Sequence, residues 1–343
     1  MGQQGNMNID LLQRLVACHS TPGDEDEVIT LLHKEWAAQT DWRCRALSRY
    51  ALLAEKTKQG NPAGGRILVC AHADSPGFVV DSLKGASGTA IPLGGAHFDG
   101  QQCKMLIKTS KGKTPLVLRK FCQEKTGETG FRFKSQTDIR RGDRIAYAPN
   151  FSKSRCGSFL SAPFLDNRAG CFLLCELLAK LPAKTPKQIL LAVTAAEEFT
   201  GFGASVLAEH LQADLVICLD TTYTNKEQGV ELKKGPVLTL SDKSVLVPRK
   251  VHAALHQCCR EWDIPLQDEV YNFSGTDARA FPSAGSLALV LPLLIPSDGN
   301  HTPRESIAIK DLQSTLALLL KLCTGPDILD LFQREAFTWS LCD

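Results

Sequence analysis

Five short segments carry the residues best suited to chemistry: His72-Ala73-Asp74, Leu165-Asp166-Asn167-Arg168, Ala196-Glu197-Glu198, Leu219-Asp220-Thr221 and Asn300-His301. Taken singly, each has an ordinary reading. An Asp that closes a strand often caps the next helix, a Glu pair can open a solvated helix, and a lone His is commonly structural. Taken together they are harder to dismiss, because they follow apolar runs that would otherwise be buried. Charges gathered at the edge of a sheet cost several kcal/mol per ion unless something compensates them. A pair of divalent cations would do so, and mixed imidazole–carboxylate sets suit zinc, cobalt or manganese.

The elements that must position these residues are legible around them. Asn8–Cys18 has helical spacing, and Asp24 reads as the N-cap of a second helix running to Trp36, with Glu25, Asp26 and Glu27 favouring its positive end. Arg66–Ala71 is a buried strand entering His72. After Asp166 the chain alternates: a helix over Ala169–Leu181, a strand over Gln188–Thr194, a helix over Gly201–Leu211 and a strand over Leu215–Leu219. A helix over Arg249–Trp262, a strand over Leu287–Leu294 and an amphipathic helix over Ile309–Leu322 complete the pattern. This is an α/β fold of three layers, a mixed sheet covered on both faces, and ligands of such sheets sit at the carboxyl ends of the strands.

Between Ser75 and Leu160 the texture changes to short β-rich pieces (Gly77–Val80, Cys103–Ile107, Pro115–Leu118, Arg144–Tyr147) separated by Gly, Lys and Thr turns. That suits a small inserted β-barrel-like domain, 75–160, interrupting a catalytic domain made of 1–74 and 161–343. The charge is divided at the same boundaries. The whole chain carries 39 Lys and Arg against 37 Asp and Glu, formally +2, but residues 76–160 hold 15 against 6, which is +9, leaving −7 elsewhere. A near-neutral total gives no reason to expect nucleic acid or an anionic membrane as partner. The basic insert is expected near the mouth of the site or at a subunit contact. As a substrate device it would favour acidic N-terminal residues; otherwise its lysines form solvated faces and inter-subunit pairs.

Thirteen scattered cysteines, odd in number and without a Cys-x-x-Cys, point to a reducing cytoplasm rather than a disulfide framework. The start, Met1–Met7, lacks the basic and apolar regions of a secretory signal, and its myristoylation-like opening has Asn6 where Ser or Thr is wanted. No apolar run approaches membrane-spanning length.

The ordered set of motifs resembles the tetrahedral-assembling dinuclear aminopeptidases, the glutamyl aminopeptidase and endoglucanase-like group. Ile67–Asp74 with Gly77-Phe78, Leu165–Cys171, Glu197-Glu198 with Gly201 and Gly203-Ala204, Leu219-Asp220, Gly275-Thr276-Asp277-Ala278 and His301-Thr302-Pro303 with Glu305 carry the resemblance over nearly the whole chain. Carried over by position, it implies that His72, Asp166 and Asp220 hold one metal and that Asp166, Glu198 and His301 hold the other, with Asp166 bridging. Glu197 would be the general base for a water shared by the two ions, and Asp74 would orient the His72 ring. It further implies two divalent ions per subunit (zinc first, cobalt or manganese as alternatives) and peptide substrates with a free N-terminus. A cis peptide at Asp166-Asn167 and homo-oligomers built from dimers, commonly dodecamers, are implied as well. The chain departs from the pattern at Ser75-Pro76, at Asn167 and through Phe121–Arg140, which touches the pocket wall and the assembly rather than any ligand.

Two other functions fit less well. A related di-metal enzyme could remove an acyl group from an amino acid, and a silent homologue could serve as a binding module, although that reading predicts a lost ligand or base and none is missing. A cellulase would need a carboxylate pair rather than a histidine-bearing cluster.

Overall fold

The computed structural model describes residues 7–57, 65–122, 127–134, 138–325, 329, 330 and 332. The N-terminal segment before Met7, Gly64 and part of the Phe121–Arg140 stretch lie outside the described residues.

Alternation of side chains explains the long apolar runs. In β3 (Arg66–His72), Ile67, Val69 and Ala71 enter one core while Leu68 and Cys70 enter another. The strand labelled β12 (Gln188–Thr194) repeats this with Ile189, Leu191 and Val193 against Leu190 and Ala192. A strand buried on both faces needs apolar residues at every position, so no polar alternation is seen. With β13 (Leu215–Tyr223) and β16 (Leu289–Asp298) these strands form the parallel centre of the sheet, in the order β12-β3-β13-β16.

Antiparallel partners extend the centre on both sides. β1 (Trp42–Ser48) and β2 (Ala51–Lys56) flank β12. β17 (Glu305–Ala308), β11 (Phe159–Ala162) and β10 (Ser152–Lys153) flank β16, with β14 (Val237–Ser241) and β15 (Gln267–Val270) branching from it. One face is covered by α1 (Ile9–Ala17), α2 (Asp26–Ala37), α3 (Leu165–Lys180), α5 (Arg249–Glu261) and α7 (Ile309–Thr324); α4 (Phe202–His210) and α6 (Ala280–Ser283) cover the other. The three-layer α/β/α fold is the one the sequence implies.

The inserted segment closes into a six-stranded barrel, β4-β5-β8-β7-β6-β9, from β4 (Gly77–Lys84), β5 (Ser87–Leu93), β6 (Gln102–Thr109), β7 (Gly112–Cys122), β8 (Thr129–Lys134) and β9 (Arg144–Tyr147). It has its own core of Phe78, Phe98, Met105, Leu118, Phe131 and Tyr147.

Two readings are corrected. Asp24 does not cap α2, whose first residue is Asp26 and whose cap, Glu25, makes no capping bond with its side chain. Asp24 instead meets Lys108 of the barrel at 2.7 Å, Asp26 meets the same ammonium at 2.7 Å, and Lys113 meets Glu27 at 2.7 Å. The charge division is therefore used within one chain, since the acidic entry to α2 holds the basic barrel. Strands β13 and β16 also run further than their apolar stretches, because Thr222 pairs with Pro296 and Tyr223 with Ser297 beyond the last aliphatic residues. No disulfide joins the twelve described cysteines, and no described helix is long and apolar enough to cross a membrane.

Candidate metal centre

The ends of the central strands converge. His72 ends β3, Asp220 lies near the end of β13, Glu197 and Glu198 follow β12, and His301 follows β16. Asp166 enters from the start of α3, where it and Asn167 leave helical geometry across a cis peptide bond. The structure brings all seven candidate residues together, and all but Asp74 line one cavity of about 240 Å³ with Thr221, Thr222, Tyr223, Asp242, Tyr271, Phe273 and Asn300. Asp74 lies beneath that floor, fully buried.

Asp166 spans the two imidazoles. Its Oδ1 is 3.4 Å from His72 Nε2 and its Oδ2 is 3.4 Å from His301 Nε2. His72 Nε2 also lies 3.2 Å from Asp220 Oδ1, and His301 Nε2 lies 3.5 Å from Glu198 Oε1. On its other side His72 Nδ1 is 3.1 Å from the carbonyl oxygen of Asp74. A carbonyl can only accept, so this contact places the ring proton on Nδ1 and turns the Nε2 lone pair toward two carboxylates. That arrangement is repulsive unless a cation lies between them or Nε2 is protonated as well. Asp166 Oδ1 and Glu198 Oε1 are buried without a hydrogen-bond partner, as befits atoms shaped to bind a metal. The residues present therefore fit divalent cations.

The electrostatics agree. Burial alone would depress the His72 imidazole, but Asp220, Asp166 and Asp74 raise it well above its ordinary value. Burial pushes Asp166 up, yet His301 and His72 outweigh it and hold this carboxyl far below the usual range. Burial raises Glu198, and Asp166 raises it further; burial likewise lifts Asp220 to about 6 against the pull of His72. Glu197 is raised by burial and, despite His72, by Asp220, Asp277 and Asp74. Several carboxylates gathered in one buried cluster resist ionising together without cations.

The supporting contacts show what the sequence did not reveal. The Asp74 carboxylate accepts the amide N–H groups of Glu197 (2.9 Å) and Glu198 (3.0 Å), whereas its Oδ1 is 3.7 Å from His72 Nδ1. Its chief contact is thus with the turn bearing the glutamates, and its backbone carbonyl touches the ring. Glu305 accepts the N–H of Asp166 (2.8 Å) and of His301 (3.2 Å). The Tyr147 hydroxyl of β9 reaches the carbonyls of His97 and His301 (2.7 and 2.8 Å). The barrel turn at Gly94-Gly95 lies so close that a Cβ on Gly94 would stand 2.9 Å from Glu198 Cβ, and one on Gly95 3.2 Å from His301 Nδ1. Three of the six described non-glycine residues with positive φ are Phe164, two residues before Asp166, Ala196, next to Glu197, and His301 itself. Such backbone is held only where its surroundings enforce it.

Glu25 is another support with no local signal. Its Oε1 accepts the N–H of Gly23 (2.7 Å) and of Ala196 (3.1 Å), next to Glu197. Burial and then Asp74 push its carboxyl up to about 7, above the ~4.3 of an unfolded chain. The folded state holds this proton more tightly, so the contribution is complete below about pH 4.3 and is lost as pH rises through 7. In metal-stripped protein Glu25→Gln should therefore stabilise at pH 8, by up to about 4 kcal/mol, and hardly at pH 4. Thermal midpoints at the two pH values check this, and an equal effect at both refutes it.

Fold and cleft together give an α/β protein with a buried imidazole–carboxylate cluster, and comparison with known proteins narrows its class. The family profile described as M42 glutamyl aminopeptidase matches residues 132–318. FrvX of Escherichia coli (strain K12), provisionally named an aminopeptidase, is 28% identical over 91% of this chain and 94% of its own length. The glutamyl aminopeptidase of Lactococcus lactis subsp. cremoris is 29% identical over 52% of this chain and 57% of its own. Among solved structures, the TET aminopeptidase of a marine-sediment Thaumarchaeota archaeon superposes with a TM-score of 0.84 at 20% identity, covering 94% of this chain and 99% of that one. The Pyrococcus horikoshii TET1 peptidase, described as assembling into a tetrahedron or an octahedral shell, gives 0.79 at 22% identity over 92% and 99%. The chain belongs to the M42 glutamyl aminopeptidase family. It is an aminopeptidase, in a family that works with divalent metal ions.

Proposed function

We propose that the protein removes N-terminal residues from peptides with two divalent ions per subunit, zinc first, and with Glu197 as general base. His72, Asp166 and Asp220 would hold one ion; Asp166, Glu198 and His301 would hold the other. The observation that carries this reading is Asp166, whose two oxygens face the two imidazoles separately. When bound, such ions polarise the scissile carbonyl and acidify water. Glu197 takes a proton from the attacking water and delivers it to the departing amine. Adjacent glutamates allow one to be a ligand while the other stays available. Asp74 fixes both by holding their amides, and Glu305 ties the backbones of Asp166 and His301 together.

The cavity also argues for a substrate class. No Lys or Arg is among its described lining residues, whereas Asp242 faces it beside Tyr223, Tyr271 and Phe273. Lys108 and Lys113, part of the basic charge that as a substrate device would favour acidic ends, are engaged with Asp24, Asp26 and Glu27. Arg140, Arg141 and Arg155 do not line the cavity. Neutral, aromatic or basic N-terminal residues should therefore be cleaved faster than Asp or Glu. A like-charge contact in a half-open cleft costs on the order of 1–2 kcal/mol, roughly tenfold in kcat/KM. A peptide panel with varied ends, each paired with its N-acetylated twin, tests both points. Faster cleavage of Glu ends refutes the preference, and cleavage of blocked peptides alone favours the deacylase. We further propose assembly into homo-oligomers, supported by the TET neighbours, which sedimentation would measure.

A further inference from the structure

Away from the cleft, α5 carries a second convergence of ligand-type atoms. Val251, Leu255, Cys258 and Cys259 form the buried face of this helix. His252 and His256, one turn apart, project from its flank toward Asp268 on the neighbouring strand β15. His252 Nε2 lies 3.0 Å from Asp268 Oδ2, and His256 Nε2 lies 2.8 Å from Asp268 Oδ1. The rings stand 4.6 Å apart at 82°, so their Nε2 atoms meet on one carboxylate rather than stacking past it. One ligand atom from each residue falls within a common 4.8 Å. The side chains are 29%, 24% and 34% exposed, open to solvent yet fixed by helix and strand.

A plain ion pair would be served by one Lys or Arg. Two imidazoles at i and i+4 on a helix are instead the spacing by which His-x-x-x-His grips a metal. Zinc bonds of 2.0–2.2 Å in a tetrahedron set ligand atoms roughly 3.3–3.5 Å apart. The two nitrogen–oxygen separations here are within about half an ångström of that spacing, so a small outward movement of these half-buried side chains admits an ion. We propose that His252, His256 and Asp268 form a site for one zinc-class divalent ion, distinct from the catalytic cleft, with water completing the shell. The ion would pin α5 to β15 at the margin of the sheet.

The test uses the full chain with its catalytic metals loaded, equilibrated with buffered zinc, and reads zinc per subunit by mass spectrometry. Wild type should carry one equivalent more than His256→Ala and more than Asp268→Asn, with peptide hydrolysis intact in both variants. Added zinc should raise the thermal midpoint of wild type and leave both variants unmoved. Equal zinc content in wild type and the two variants overturns the proposal, as does an equal shift in midpoint. The readout is a difference in metal count, so it stands apart from whether the cleft works as proposed above.

Discussion

Glu197→Gln should lower kcat by about 10²–10⁴-fold while leaving the bound metal unchanged. The substitution keeps the shape and removes the proton acceptor. The fold around it has little cause to respond, because the position is set through the backbone: Asp74 holds the amides of residues 197 and 198, and Glu25 holds that of Ala196. Metal analysis beside steady-state kinetics separates the two effects. Loss of metal together with activity would make Glu197 a ligand, and activity within tenfold of wild type would remove it from the reaction.

Asp166→Asn should be more damaging, because it removes metal and turnover together. One carboxylate faces both histidines, and its strongly depressed titration shows how firmly the ionised form is held. An amide presents one weaker oxygen and an N–H that would oppose a cation. In a His256→Ala background, which removes the separate site proposed on α5, we expect Asp166→Asn to keep less than about one tenth of the parent's metal after dialysis and to lose at least ~10³-fold in kcat/KM. Metal binding stabilises a native state by RT ln(1 + [L]/Kd), about 2.7 kcal/mol at a hundredfold excess over Kd. In that background the parent should therefore lose thermal stability on chelation, whereas the Asp166→Asn variant should show little difference between treated and untreated protein. A variant that keeps both ions would show that Asp166 is not shared.

The centre of the sheet and the polar residues proposed as ligands are legible for one reason. In β3, β12 and β13 both faces are buried, so each strand is an unbroken apolar run, and the polar residue that ends the run is conspicuous. Where that contrast fades, the reading stopped short: Thr221, Thr222 and Tyr223 look like a loop but continue β13. The contacts that support the proposed ligands and dock the barrel are invisible in the sequence for a different reason. Glu25 reaches Ala196 across 171 positions and Lys108 reaches Asp24 across 84, distances at which no spacing rule operates. Asp24 shows the cost of a local rule, since a good capping residue was claimed by a tertiary partner. Gly94 and Gly95 carry no signal of their own in the sequence, although Glu198 and His301 lie against them.

That last pair changes what kind of object the barrel is. An insertion with its own core and closed hydrogen bonding looks like a portable part. Yet its turn at Gly94-Gly95 abuts two proposed ligands, and its Tyr147 hydroxyl holds the backbone of one of them. Exchanging barrels between relatives would therefore also exchange the backbone that packs against Glu198 and His301. A chimera cut at the ends of the insertion could fold both halves correctly and still misplace the metals. The workable seam leaves Leu93–Ala96 and Tyr147 with the host, so the boundary that matters for catalysis runs through the barrel rather than around it.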